Sequence, residues 1–221
     1  MGQANDSILV TPGTGAVVAT QLIAGKEHQV VVLCDESGHI QGSLPTYYWA
    51  TPAAAVGASK LYLDIFNATG SGKLIDIRGI WVIPKTDVAV VGALGIRVDL
   101  YRTSAVGTGG TAWAYKSATP DVPGGSIWPC DTLNAAIPAQ ITGRHLPTAG
   151  ATISGWIFPT YAFGEESATG VASYLTQYFN ILPALAWGQK FALREGEGIL
   201  LKQGAVAATG NIGFLIALTL E

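Results

Sequence analysis

The sequence predicts an all-β protein: a jelly-roll-like antiparallel β-sandwich with an extended N-terminal arm and a long loop insertion. Three observations carry that expectation. Helical periodicity is scarce along the 221 residues. Short apolar runs alternating with polar residues recur instead, as strands with one buried face require. Clusters of Gly, Pro, Asn and Asp separate them at turn-like spacing.

Residues 1–26 read as an arm. The runs "SILV" and "AVVATQLI" flank the turn chemistry "TPGTG" and show no strand-turn repeat of their own. Residues 27–221 read as one sandwich domain, opened by "HQVVVLCD". The stretches "LYLDIFN" and "KLIDIRGIWVI" form a hairpin. Alternation puts Leu61, Leu63 and Ile65 on one face of the first strand, and Ile75, Ile77, Trp81 and Ile83 on one face of the second. In "LGIRVDLYRTS" it points Ile96, Val98 and Leu100 inward and Arg97 and Asp99 outward. The stretches "ASYLTQYFNIL", "QKFALREGEGILLKQ" and "NIGFLIALTLE" supply the remaining strands. Between them, residues 104–150 are rich in Gly, Pro, Ser and Thr and read as a long loop, of the kind that serves function or assembly. That loop carries Trp113, Tyr115 and Trp128, side chains suited to interfaces. With Val17, Val18 and Leu22 of the arm they are the candidate interface residues; alternatively, the three aromatics pin the loop to its own domain.

Composition narrows the function classes. Charged residues make up 12% of the chain, about half the usual share, while apolar residues reach 49%. The longest apolar runs, "VAVVGALGI" and "IGFLIALTL", are strand-sized and fall well short of the ~18 residues of a membrane helix. A surface this poor in charge predicts cover by neighbouring subunits. The net charge of −3 without a basic stripe argues against nucleic-acid binding. The N-terminus has no basic segment followed by an apolar core, so no signal peptide is expected and "NAT" at Asn67 is discounted as a glycosylation acceptor. Cys34 and Cys130 are far apart, match no metal spacing and read as two buried free thiols, with a single disulfide as the alternative.

The segment "NATGSGK" invites comparison with a phosphate-binding loop. That motif needs a Gly where this chain has Asn67, a Ser or Thr where it has Leu74, and a helix behind it. A strand follows here, so the segment reads as a hairpin turn. No catalytic constellation emerges elsewhere. His28, His39 and His145 are scattered. Arg144 and His145 read as solvated loop residues. Glu165 and Glu166 would point to opposite faces, and Glu195 and Glu197 lie in a turn. Catalytic, cofactor and metal residues are therefore expected to be none.

Four patches resemble small virion structural proteins of tailed bacteriophages. "GTGAVVATQLIAGKEHQVVVLCDESGHI" is similar to their opening, at Gly15 to Thr20, Gly25, Gln29 to Leu33 and Asp35 to Gly38. "IFNATGSGKLIDIRGI" resembles their Gly-Ser-Gly-Lys hairpin. "VDLYRTSAVGTGGTAW" resembles their Arg-Thr strand end and Gly-Gly loop, and "ALREGEGILLKQ" their Gly-Glu-Gly hairpin. The resemblance implies a virion location after synthesis in the host cytoplasm, a homotrimeric subunit, and partners among major capsid or other virion proteins. A capsid decoration or cement role leads, with no nucleic acid and no membrane involved. The alternative is a tail or fibre component binding a host glycan or receptor, for which six Trp residues speak. A cell-wall enzyme and an outer-membrane barrel are weaker rivals.

If "NATGSGK" is a turn and nothing more, Lys73→Ala should shift stability by no more than about 0.5 kcal/mol. ATP and GTP should leave the melting temperature where it is. Differential scanning fluorimetry with and without nucleotide checks both expectations; a nucleotide-dependent rise abolished by the substitution would contradict them.

Overall fold

A computed structural model describes residues 17–23, 26–32, 44–85, 94–119, 122–149, 151–164, 179–180, 191–208 and 210–221. Every regular element among them is a β-strand, and the chain divides between Leu44 and Pro45 into two compact units.

The first unit holds β1 (Val17–Ile23) and β2 (Lys26–Val32), paired antiparallel from Val17 opposite Val32 to Ile23 opposite Lys26. The expected boundary between residues 26 and 27 falls inside this ribbon. The run Val30 to Val32 lies opposite Ala19, Val18 and Val17, so the segment expected to open the sandwich turns back on the arm. The compact sandwich unit begins instead at Pro45.

The second unit follows in chain order: β3 (Thr46–Ala50), β4 (Ala54–Ala55), β5 (Leu61–Asn67), β6 (Ile75–Lys85), β7 (Leu94–Thr103), β8 (Thr111–Ala112), β9 (Ala114–Tyr115) and β10 (Ser126–Pro129). Then come β11 (Ile141–His145), β12 (Ile153–Gly164), β13 (Phe179–Asn180), β14 (Ala192–Leu193), β15 (Glu197–Gln203) and β16 (Asn211–Leu220). The first sheet runs β13-β6-β16-β3-β10-β9, with β14 also on β6 and β4 also on β16. The second runs β12-β7-β15-β5-β11-β8. All these pairings are antiparallel except β9 with β10.

The two sheets form a β-sandwich. The opening strand β3 lies beside the final strand β16 in one sheet, and β5 lies beside β15 in the other. Early strands thus nest against late ones. The segment from 104 to 150, expected as loop, sits between β7 and β12 and carries four short strands. Of these, β10 and β9 widen the first sheet beyond β3, and β11 and β8 widen the second beyond β5. Its Gly and Pro content conceals strands only two to five residues long.

One apolar cluster joins the sheets. Tyr62 of β5 meets Phe214 of β16 with ring centroids 5.3 Å apart. The register between β5 and β15 shifts between Leu201 and Lys202, a bulge that lets Tyr62 turn inward along with Leu63. Trp49 of β3 is fully buried; its Nε1 donates to the Gly124 carbonyl at 3.0 Å. The Trp113 ring stands edge-on to it at 5.2 Å and 89°. Arg102 ties the sheets at one end, donating to the Ala192 carbonyl at 3.1 Å and lying 4.7 Å over the Phe191 ring.

Strand β7 follows the expected alternation, with Ile96, Val98 and Leu100 buried. Asp99 is buried as well, 2.8 Å from Arg97 Nε. Strand β5 is buried on both faces from Tyr62 to Asn67. Strand β6 departs from the expected pattern. Its register with β16 shifts between Ala217, opposite Gly79, and Leu218, opposite Ile77. The extra residue, Arg78, reverses the alternation beyond it. Ile80 and Val82 therefore fill the core, while Trp81 and Ile83 turn to the outer face.

Trp113 is seated on Gly143: a Cβ there would collide with its ring. Gly143→Ala should therefore displace Trp113 from Trp49 and cost about 1–3 kcal/mol as an overpacking substitution. The denaturant midpoint, read by tryptophan fluorescence, is expected to fall; an unchanged midpoint would show that the insertion does not depend on this seat.

Candidate functional site

The outer face of the first sheet carries a row of aromatic side chains. Alternation along β3 buries Tyr47 and Trp49 and leaves Tyr48 44% exposed. On the neighbouring β10, Ile127 is buried and Trp128 is 44% exposed. Trp128 and Tyr48 are direct cross-strand partners. The row continues through Ala217, opposite Tyr48, to Gly79, opposite Ala217. Gly79 has no side chain, and the six-membered ring of Trp81 occupies the space its Cβ would need. Trp128 is held in place by its Nε1, which donates to the Ser117 carbonyl at 3.2 Å.

A polar row lies beside the aromatic one. Thr46 and Thr219 are cross-strand partners with hydroxyls 3.0 Å apart. Arg78 Nε donates to Thr219 Oγ1 at 3.2 Å and lies 3.1 Å from Asp76 Oδ2. The Arg78 side chain is 49% exposed, whereas the Asp76 carboxylate is buried. The face thus offers flat rings beside an exposed guanidinium whose charge the buried Asp76 carboxylate balances.

Of the residues singled out from sequence, Trp128 belongs to this face. Trp113 and Tyr115 are half-buried and pack against the core, so they pin the insertion to its own domain. Val17, Val18 and Leu22 lie on β1, opposite Val32, Val31 and Glu27. Tyr48 and Trp81 were missed. Alternation in "TYYWA" sets Tyr48 on the face opposite Tyr47 and Trp49 without saying which face is outer, and nothing in the sequence marks the bulge that turns Trp81 outward.

Several polar residues take other places than expected. His145 is buried on β11, its Nδ1 3.0 Å from the Pro123 carbonyl, and burial lowers its pKa. Arg144 sits in register with Asp64 rather than in a solvated loop. Glu195 lies exposed in the turn where the sequence puts it, accepts a hydrogen bond from Gly72 N at 2.7 Å, and has its pKa lowered by the Gly72 and Gly70 amides. Glu197 accepts from Arg194 N at 2.8 Å. His39, Cys34, Glu165 and Glu166 lie outside the described residues. Cys130 is a free, exposed thiol. A cavity of about 550 Å³ opens beside Leu61, Leu200 and the insertion residues Leu146 and Thr148, with Lys60 and Lys202 also lining it. No three His, Cys, Asp or Glu side chains converge as a metal site among the described residues. No helix among them is long and apolar enough to cross a membrane.

Asp64 is the most constrained of the buried carboxyls. It is fully buried in β5; its Oδ2 accepts from Gly107 N at 2.8 Å. Its Oδ1 has no hydrogen-bond partner among the described residues. Burial raises its pKa, opposed by the Gly107 amide and by Arg144. Between the unfolded and the raised folded value, the folded protein binds a proton that the unfolded chain has released. The stabilisation present below the unfolded value is therefore lost as pH rises through the folded one. Asn at this position keeps an acceptor for Gly107 N and needs no proton. Asp64→Asn should flatten the pH dependence above the ordinary carboxylate range, about pH 4, and be the more stable form at neutral pH. Denaturant midpoints across the acid-to-neutral range check it; a wild type that gains on the variant as pH rises would show that Arg144 and Gly107 outweigh burial.

No protein-family model, curated protein or solved structure matches this chain, so its geometry and sequence stand alone as guides to function.

Proposed function

We propose that the chain is a non-enzymatic structural protein of a tailed-bacteriophage virion: a capsid decoration or cement subunit, acting as a homotrimer through contacts with its copies and with major capsid or other virion proteins. The observation that carries this reading is that β1 and β2 pair with each other in a two-stranded sheet, within a compact unit distinct from the one that holds the sandwich. A lone two-stranded ribbon is marginal in water. Among the described strands, β1 and β2 pair only with each other; an unpaired strand edge is a template for pairing, and strand addition to a neighbour supplies affinity through main-chain hydrogen bonds. The ribbon also coincides with the first patch resembling virion proteins. A charge content of 12% suits a surface that assembly covers.

The alternative reading, a carbohydrate- or receptor-binding tail or fibre component, is favoured by the aromatic row on the first sheet. The two readings are compatible, because the ribbon and that row are different parts of the chain.

The test is a deletion. Removing residues 2–43 is expected to leave a folded sandwich with a β-type circular dichroism spectrum. Light scattering should then show a smaller oligomer than the full chain forms, and incorporation into particles should fall. A truncated protein that assembles like the full chain would overturn the ribbon's role; one that fails to fold would place the ribbon within the sandwich core.

A further inference from the structure

The geometry points to a second activity on the outer face of the first sheet: a binding platform for a neutral oligosaccharide of equatorially linked pyranose rings. The site does not rest on the particle role. It is built from the aromatic row Trp128, Tyr48 and Trp81 and the polar row Thr46, Thr219 and Arg78 beside it.

The aromatic row crosses four adjacent strands, β10, β3, β16 and β6. Three interstrand steps span about 14 Å, the reach of a short run of sugar rings. The rings are fixed in place rather than dangling. The Trp81 ring is seated over Gly79, where any Cβ would collide with it. Trp128 is pinned through Nε1 to the Ser117 carbonyl. Both Tyr48 and Trp128 keep 44% of their surface open. Pyranose rings present C–H groups on one face, and these stack on an aromatic face that is apolar yet electron-rich.

The neighbouring polar row selects sugar over a protein surface. Protein interfaces concentrate affinity in aromatic anchors buried in desolvated pockets. Here the half-open rings of Tyr48 and Trp128 lie beside the exposed Arg78 guanidinium and the partly buried Thr46, both positioned by Thr219 and Asp76, which are buried. The Thr46 and Thr219 hydroxyls lie 3.0 Å apart, and Arg78 bridges Thr219 and the Asp76 carboxylate at 3.2 and 3.1 Å. Ring hydroxyls projecting sideways from a stacked pyranose accept from the Arg78 guanidinium and pair with the Thr46 hydroxyl. The guanidinium and carboxylate charges cancel, which selects a neutral ligand over an acidic one.

The experiment titrates the full chain with neutral hexasaccharides of β-1,4-linked glucose, mannose, xylose and N-acetylglucosamine, and with a polyuronic hexasaccharide as the acidic counterpart. Tryptophan fluorescence and isothermal calorimetry are the readouts. At least one neutral hexasaccharide should bind and shift the emission. Trp128→Ala and Tyr48→Ala should each weaken that binding at least tenfold, and Trp128→Phe should weaken it less than Trp128→Ala. Gly79→Ala, which unseats Trp81, should also weaken it. Leu133→Ala, at an exposed apolar residue off the row, should leave it unchanged. The proposal is overturned if no neutral hexasaccharide binds, if only the polyuronic one does, or if binding survives both alanine substitutions on the row. It is equally overturned if Trp128→Ala dissociates the oligomer, since the face would then be a contact between subunits.

Discussion

The final strand holds the sandwich together. Strand β16 lies between β3 and β6 in the first sheet, hydrogen-bonding to both. Its inner residues Ile212, Phe214, Ile216, Leu218 and Leu220 are buried, and Phe214 reaches across to Tyr62 in the opposite sheet. Neither sheet closes over a core until the last residues of the chain meet the first residues of the sandwich. The Thr46 to Thr219 hydroxyl contact joins positions 173 residues apart. Contacts this remote make folding slow, because the loop-closure entropy is lost before the pairing rewards it. Removing one of the large rings at the junction, such as Phe214, would cost about 3–5 kcal/mol, a large fraction of a typical domain's stability.

The single extra residue in β6 decides what the molecule shows to its surroundings. Without Arg78 in the bulge, strict alternation would send Trp81 into the core and leave Ile80 outside. With it, Ile80 and Val82 complete the core beneath β16 and Trp81 joins Tyr48 and Trp128 on the outer face. The same bulge delivers Arg78 to Thr219 and Asp76. A one-residue register change thus adds Trp81 to the aromatic row and Arg78 to the polar row beside it. Bulges are frequent where a sheet re-aims side chains for binding, so the local irregularity and the functional reading support each other.

Much of the fold was legible because alternation is a direct consequence of strand geometry. Ile96, Val98 and Leu100 lie inward as the pattern of "IRVDL" demands. The failures have specific causes. Trp81 and Ile83 were misplaced because a bulge leaves no signature in the hydrophobic pattern. The strands within 104–150 were missed because pairs such as Thr111–Ala112 are too short for any periodicity. The boundary at residue 27 was displaced because β2 reads equally well as a first sandwich strand or as the return arm of a ribbon. At the candidate site, Trp128 stood out as an aromatic in a Gly- and Pro-rich segment. Tyr48 did not, since "YYW" offers three aromatics and only the register tells which one faces out. Asp64 was unreadable for a different reason: the amide that its buried carboxyl accepts from is Gly107 of the insertion, 43 residues away.

The glycine-rich turn "NATGSGK" shows how such a pattern can be right about chemistry and wrong about function. Gly70 and Gly72 adopt φ of 88° and 64°, backbone open to glycine and strained for other residues. That conformation aims amides at an anion, as a phosphate-binding loop would. The anion here is the chain's own Glu195, whose Oε1 accepts from Gly72 N at 2.7 Å and whose pKa these backbone amides lower. Asn67, where the phosphate motif would have its first glycine, instead donates from Nδ2 to the Lys73 carbonyl at 2.8 Å and closes the turn. The "REGEG" turn and the "NATGSGK" turn therefore satisfy each other, joining the hairpin of β5 and β6 to the entry of β15. The exposed contact adds little stability by itself. Its effect is to set where β15 begins, at Glu197 opposite Asn67, and so to fix the register that places Ile199 and Leu201 beside Ile65 and Leu63 in the core.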